Sequence, residues 1–222
     1  MSFSNVVVGP ALVAWTGGLD DADLARTYAS LDGTELARAT QLGSQQRRRF
    51  LTGRTLLRNL ASELFPEAGQ AFGVASVACP RCGRAHAGVE LRGLPARASL
   101  AYADDELAVA AIASSGRVAN LGVDAEREAM DEVRTRDLES LIGRSSEPAS
   151  RRWTRIEALL KADGRGLHVD PARVRLSSGS GWIAGEPLRY QLAPVPGPDG
   201  YAISLAWLPS EDQATRDGRA TR

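Results

Sequence analysis

Two acidic residues, Asp124 and Glu126, stand two apart in "NLGVDAERE", residues 120–128. On a strand, alternate residues share a face. Asn120, Gly122, Asp124 and Glu126 then fall on one side, while Ala119, Leu121, Val123 and Ala125 face a core. Carboxylates held side by side repel each other unless a cation sits between them. A strand end fraying into a solvated loop would also produce this pattern. A further acidic group lies in "RRWTRIEALLKADGRG", residues 151–166, where Glu157 and Lys161 stand at i, i+4 and are neighbours on a helix. Alone, that pair is a common solvated contact. Beside the Asp-x-Glu strand it supplies a third carboxylate and an ammonium that can converge on one metal. Lys161 is the only lysine among 27 basic residues. An ammonium can release its proton when its surroundings lower its pKa, and a guanidinium cannot. Lys161 is therefore a candidate proton donor.

Two other stretches carry chemical side chains. In "QQRRRFLTGRTLLRNLASELF", residues 45–65, five arginines crowd the N-terminal half: Arg47, Arg48, Arg49, Arg54 and Arg58. A solvated face explains such a run, and so does an anion site. "CPRCGRAH" places Cys79, Cys82 and His86 in C-x2-C-x3-H spacing. A closed structural zinc site needs four ligands, and the other histidine, His168, lies far along the chain. A zinc loop and a loop with two reduced thiols both remain open.

The elements that must hold these residues can be read from periodicity. A strand runs from Val6 to Trp15, broken at Gly9-Pro10, and short helices follow near 20–30 and 34–41. Phe50, Leu57, Ala61 and Leu64 recur at helical spacing, which predicts one long amphipathic helix over 45–65. "ASLAYADDELAVAAIAS", residues 98–114, reads as a hairpin turning at Asp104-Asp105. The strand from Val118 to Glu126 comes next. Helices are predicted at 131–142 and 147–163, the second docked by a stripe of Trp153, Ile156 and Leu160 and closed by Gly164 and Gly166. Strands near 172–177, 187–193 and 200–208 complete the chain. The two runs of elements are similar in length and order, which suggests an internal duplication. Residues 1–116 form an N-terminal α+β half and 117–208 a C-terminal α+β half with the acidic site; 209–222 has no core-forming residues and is expected to be disordered.

At 222 residues the chain can bury one large core or two of about 100 residues each. Its formal net charge is zero, so nothing calls for nucleic acid or an anionic membrane as partner. No apolar run approaches the ~18 residues of a membrane span. The first residues lack a signal peptide's basic start and cleavage site, and two cysteines do not make a disulfide framework. A cytoplasmic monomer is expected.

The motifs together resemble a family: the 4′-phosphopantetheinyl transferases of the two-domain, surfactin-synthetase-activating type, which prime peptide and polyketide synthases. "GVDAERE" is similar to the family's G-V-D-x-E, and "WTRIEALLKADGRGL" to its W-[ST]-x-K-E-[AS]-x-x-K-x-x-G-x-G. "RRFLTGRTLLR" resembles its basic helix, and "CPRCGRAH" with the 98–114 hairpin stands where the family has a Cys-rich loop and an S-[LI]-S-H-S hairpin. The resemblance implies two similar α+β halves related by a pseudo-twofold axis, with the active site in the cleft between them. It implies Mg²⁺, coenzyme A as co-substrate, and an acyl or peptidyl carrier protein as partner. By position it makes Asp124, Glu126 and Glu157 the metal ligands. It makes Glu157 and Lys161 catalytic, and gives Arg49, Arg54 and Tyr102 to coenzyme A.

The sequence departs from the family pattern at several points. Tyr102 replaces the histidine of the hairpin motif, and Ala101 and Ala103 replace its flanking serines. Ile156 stands for the lysine before the glutamate, and Gly88-Val89 for G-[KR]-P. Tyr donates a hydrogen bond but carries no positive charge at neutral pH. Two alternatives therefore stand beside the transferase. One is a non-catalytic protein that binds coenzyme A or a carrier protein; the other is an enzyme using the same site on another substrate.

Overall fold

The computed structural model describes residues 3–69, 72–79, 83, 88–211 and 213. The chain is α+β, with two antiparallel sheets and a long helix on each. The first sheet contains β1 (Ser4–Val8), β2 (Ala11–Thr16), β3 (Gly73–Val77), β4 (Gly88–Arg92), β5 (Ala96–Ala103) and β6 (Leu107–Ser114), in the order β1-β2-β6-β5-β4-β3. The strand expected over Val6–Trp15 is a hairpin. Gly9 turns it at φ +54°, a conformation open to glycine but strained for other residues. The 98–114 hairpin pairs Ala103 with Leu107, and Asp104 takes φ +50° at its tip. β3 and β4 had no clear periodic signature, being only five residues each.

Three helices connect β2 to β3: α1 (Asp21–Ala29), α2 (Gly33–Gln41) and α3 (Ser44–Leu64). The Asp20 and Asp32 carboxylates cap the first two by accepting from Asp23 and Glu35 N–H at 2.7 and 2.8 Å. Leu56, Leu57, Leu60 and Ala61 of α3 pack on one face of the sheet against Ala108, Ala110 and Ile112 of β6. The intervening residues of β6, Val109 and Ala111, point to the other face. Period-two alternation thus fills two cores from one strand.

The second sheet, β7 (Val118–Arg127), β11 (Tyr201–Pro209), β10 (Arg189–Pro194), β9 (Ser180–Ile183) and β8 (Val174–Ser177), has that spatial order. Between β7 and β8 lie α4 (Glu132–Ile142) and α5 (Ala149–Asp163). β9 was missed because "SGWI" is four residues bounded by glycine-containing turns. Ile156, Leu159 and Leu160 of α5 pack on this sheet with Tyr190, Leu192 and Ala206. Gly164 ends α5 at φ +87° and returns its N–H to the Leu160 and Lys161 carbonyls.

The inner faces of the two sheets share one core. Val13, Ala101, Ala103 and Val109 meet Leu121, Val123, Ala125 and Leu205 there. Ser99 Oγ accepts the Val123 N–H at 3.0 Å across this seam. No helix among the described residues is long and apolar enough to cross a membrane. The expected disorder of 209–222 falls mostly outside the described residues.

Candidate active site

The strand bearing Asp124 and Glu126 does not fray into water. One face of β7 enters the inter-sheet core, and α5 covers the other. Gly122 makes that approach possible: a Cβ there would collide with the Ala158 carbonyl and the Ala162 amide of α5. The absence of one side chain brings the helix that carries Glu157 and Lys161 down onto the strand that carries Asp124.

Asp124 is buried at 4% exposure. Its Oδ1 accepts from Lys161 Nζ at 2.6 Å, and the same ammonium donates to the Val123 carbonyl at 3.2 Å. Asp124 Oδ2 is buried and has no hydrogen-bond partner among the described residues. Glu126 Oε2 accepts from Arg134 at 2.6 Å. The Glu157 carboxyl is pushed up to about 7 by burial first, then by the Asp124 charge, with Lys161 opposing. Burial likewise raises Glu126; Arg134 opposes this, and Asp124 adds to it. Glu126 and Glu157 thus both feel the Asp124 charge.

Lys161 behaves differently from the sequence expectation. Burial alone pulls an ammonium's pKa down, but Asp124 and Glu157 outweigh that effect and hold it above its ordinary value. The surroundings therefore retain its proton. Without a metal, Lys161 is a fixed positive charge bridging strand and helix.

Among the described residues no three His, Cys, Asp or Glu side chains form a ready-made metal cage. Lys161 and Arg134 each pair with one of the carboxylates, Asp124 and Glu126. The residues nonetheless fit a hard cation. They offer a buried oxygen on Asp124 without a partner among the described residues and two carboxyls raised by burial and by neighbouring negative charge, and Mg²⁺ commonly takes only one or two carboxylates plus waters and phosphate oxygens. Asp124, Glu126 and Glu157 would hold it.

A cleft of about 890 Å³ opens between the halves, within the range of small-molecule sites. Arg38, Arg49, Phe50 and Tyr102 line it from the first half, and Lys161 and Asp163 from the second. Asp124, Glu126 and Glu157 do not themselves line it, so Lys161 is where cleft and acidic cluster meet. Arg49 lies over the Tyr102 ring at 4.9 Å and 3.5 Å from Asp105, with its side chain 41% exposed. It is an accessible cation on the cleft wall.

Arg54 also borders the cleft, but its side chain is committed to neighbours within the fold. At 2% exposure it donates to Glu35 at 2.8 Å and to Ser76 Oγ at 2.7 Å, and Arg58 donates to the second Glu35 oxygen at 2.8 Å. Burial lowers the Arg54 pKa, against the pull of Glu35. Its donors are largely engaged in holding α2 and β3 to α3, so the expected anion contact is at best shared with a structural role. Neither Glu35 nor Arg134 was picked out in the sequence, since their partners lie 19 and 8 positions away with no motif linking them.

Tyr102 lines the cleft, and the substitution has a local accommodation. Its hydroxyl rests where a Cβ of Gly53 on α3 would stand. Burial raises its pKa while Arg54, Arg49 and Arg38 oppose, so it is a neutral phenol. Ala101 and Ala103 alternate with it and point into the inter-sheet core.

Cys79 is buried, and its Sγ lies 3.2 Å from His168 Nε2. Cys82 and His86, the other two residues of that motif, lie outside the described residues. No known family's sequence profile matches the chain, and no curated protein matches it significantly.

Proposed function

We propose that this protein is a 4′-phosphopantetheinyl transferase, moving the phosphopantetheine arm of coenzyme A onto a serine of an acyl or peptidyl carrier protein. The observation carrying this reading is Lys161. Among the described residues it joins an interlobe cleft with cationic walls to a group of three carboxylates, of which Asp124 is buried and Glu126 and Glu157 half-buried. The motifs that suggested the family supply the residues of both.

Coenzyme A would lie in the cleft with its phosphates toward Arg49 and Lys161, whose donors suit phosphate oxygens. The carrier serine oxygen attacks the β-phosphorus; a new O–P bond forms and the bond to the bridging oxygen breaks. Adenosine 3′,5′-bisphosphate departs with that electron pair. Glu157, directly or through water, accepts the serine proton. Lys161 remains charged and stabilises the departing phosphate electrostatically, without surrendering its proton. Mg²⁺, when bound by Asp124, Glu126 and Glu157, would neutralise charge on the pyrophosphate. Tyr102 contributes a neutral donor in place of a cation. The pseudo-twofold relation between halves belongs to the same reading. It is supported by a long helix packed on one face of an antiparallel sheet in each half.

A non-catalytic binder of coenzyme A has one observation in its favour: Lys161 and Arg134 already engage one oxygen each of Asp124 and Glu126 without metal. Mass spectrometry of apo carrier proteins incubated with the protein, coenzyme A and Mg²⁺ separates the two. Addition of the phosphopantetheine mass, abolished by Asp124→Ala and by chelation, supports transfer. Coenzyme A binding that survives chelation, with no carrier modified, supports the binder and rejects the transferase.

A further inference from the structure

Part of the cleft wall belongs neither to the basic helix nor to the acidic cluster. It follows the seam where β5 of the first half runs beside β7 of the second. Two hydrogen bonds cross that seam. Arg97 Nε donates to the Ala119 carbonyl at 2.7 Å, and Ser99 Oγ accepts the Val123 N–H at 3.0 Å. Arg97 and Ser99 stand two apart on β5 and so share a face. Both border the cleft, as does Lys161, which donates from α5 to the carbonyl of the same Val123.

These contacts leave donors over. A hydroxyl offers one hydrogen and two lone pairs. The Val123 N–H takes a lone pair of Ser99, and the hydrogen has no acceptor among the described residues. Ser99 is 7% exposed, so bulk water does little to satisfy that hydrogen. Arg97 commits Nε to the seam, and its terminal amino groups have no carboxylate partner among the described residues. Of the two carboxylates bordering the cleft, Asp163 is taken by Arg165 at 2.5 Å and Tyr190 at 3.0 Å, and Glu90 lies 4.0 Å from Arg92. Neither neutralises the seam. A guanidinium, a hydroxyl and an ammonium are left facing the ligand space, a donor set that suits an anion.

We propose that Arg97 and Ser99, together with Lys161, form a second phosphate-binding subsite of the cleft, distinct from the arginines of α2 and α3. The Ser99 hydroxyl donates to a phosphate oxygen, and the Arg97 terminal amino groups pair with the same phosphate. Arg38 and Arg49 border the cleft from α2 and α3. Cations on two walls suit a ligand with two separated phosphate centres better than one with a single carboxylate. Coenzyme A, with its diphosphate and its 3′-phosphate, has that form. The subsite rests on the coenzyme A reading for the identity of the ligand alone.

The test is calorimetric titration of the full chain with coenzyme A and with inorganic pyrophosphate, in chelator, so that neither metal nor transfer contributes. A lost hydrogen bond to a charged group gives Ser99→Ala an expected drop of at least about tenfold in affinity. Arg97→Gln should lose at least about threefold at low salt, and the difference from wild type should shrink as salt screens the exposed charge. If Ser99 serves only the seam, Ser99→Ala lowers the denaturant midpoint of the free protein yet binds as the wild type does. That result overturns the proposal. So does undiminished affinity in Arg97→Gln, an exposed change that decides the matter should Ser99→Ala fail to fold. Unchanged affinity in the variants, with carrier protein modified by the wild type, removes the subsite and keeps the transferase. Weaker pyrophosphate binding in the variants, with no coenzyme A bound by the wild type, keeps the subsite and rejects the coenzyme A reading. Wild-type protein that binds neither probe overturns both.

Discussion

Lys161 shows how a single side chain's role is set by what surrounds its charged end. Its rarity in an arginine-rich chain singles it out, but its partners hold the proton in place: Asp124 at 2.6 Å and Glu157 nearby. Lys161→Arg is expected to leave coenzyme A affinity within about threefold, because the charge survives. Turnover should fall at least about tenfold, since a planar fork cannot occupy the ammonium's position between Asp124 and the Val123 carbonyl. Calorimetry and single-turnover transfer measure the two quantities; unchanged turnover would remove Lys161 from the reaction. Glu157 gives a second residue-scale expectation. Its pKa of about 7 in the fold exceeds the value near 4.3 of an unfolded chain. The folded state therefore holds more protons between those values, and stability falls as pH rises through that window. In chelator-treated protein the melting temperature should decline from about pH 5 to pH 7, and Glu157→Gln should flatten that decline. An identical slope in the variant would assign the pH dependence elsewhere.

At the scale of elements, the site depends on how closely α5 lies on β7. Gly122→Ala puts a methyl group against helix backbone, which cannot rotate away as a side chain can. Overpacking of this kind costs about 1–3 kcal/mol, read as a lower denaturant midpoint. The displaced helix should also weaken transfer. A variant of unchanged stability would show that α5 has slack there. α3 is held by a different device, the buried Glu35 between Arg54 and Arg58. Glu35→Ala leaves Arg54 buried without its counter-charge, a loss of about 3–5 kcal/mol. Denaturant unfolding of Glu35→Ala beside Arg54→Met separates the buried-charge penalty from lost packing. A cost below about 1 kcal/mol for Glu35→Ala would mean that water reaches the guanidinium.

For the whole molecule, the decisive feature is the core shared by the two sheets. Domains joined by a small polar interface move and unfold separately, whereas Val109, Val123 and Leu205 here belong to one apolar cluster. The protein is expected to unfold in a single transition. Leu205→Ala should lower that transition by about 2–5 kcal/mol without splitting it. Single-tryptophan variants keeping Trp15 in the first sheet or Trp182 in the second report the halves independently; non-coincident curves would contradict the shared core.

The chain alone determined what is local. Helix caps at Asp20 and Asp32, the apolar stripe of α5, the αL stop at Gly164 and the turn at Asp104-Asp105 are set by neighbours a few residues apart. Periodicity records such neighbours directly. β3, β4 and β9 escaped because five or four residues hold too few alternations to rise above their surroundings. The candidate site was legible as residue types: three carboxylates, a lysine, a basic helix and a C-x2-C-x3-H run. Its connections were not. Lys161 reaches Asp124 across 37 positions, Arg54 is captured by Glu35 across 19, and Cys79 meets His168 across 89. Only packing decides such pairings, because they follow from which helix face meets which strand. That in turn rests on a residue with no side chain at all, Gly122, whose meaning appears only when α5 lies against it.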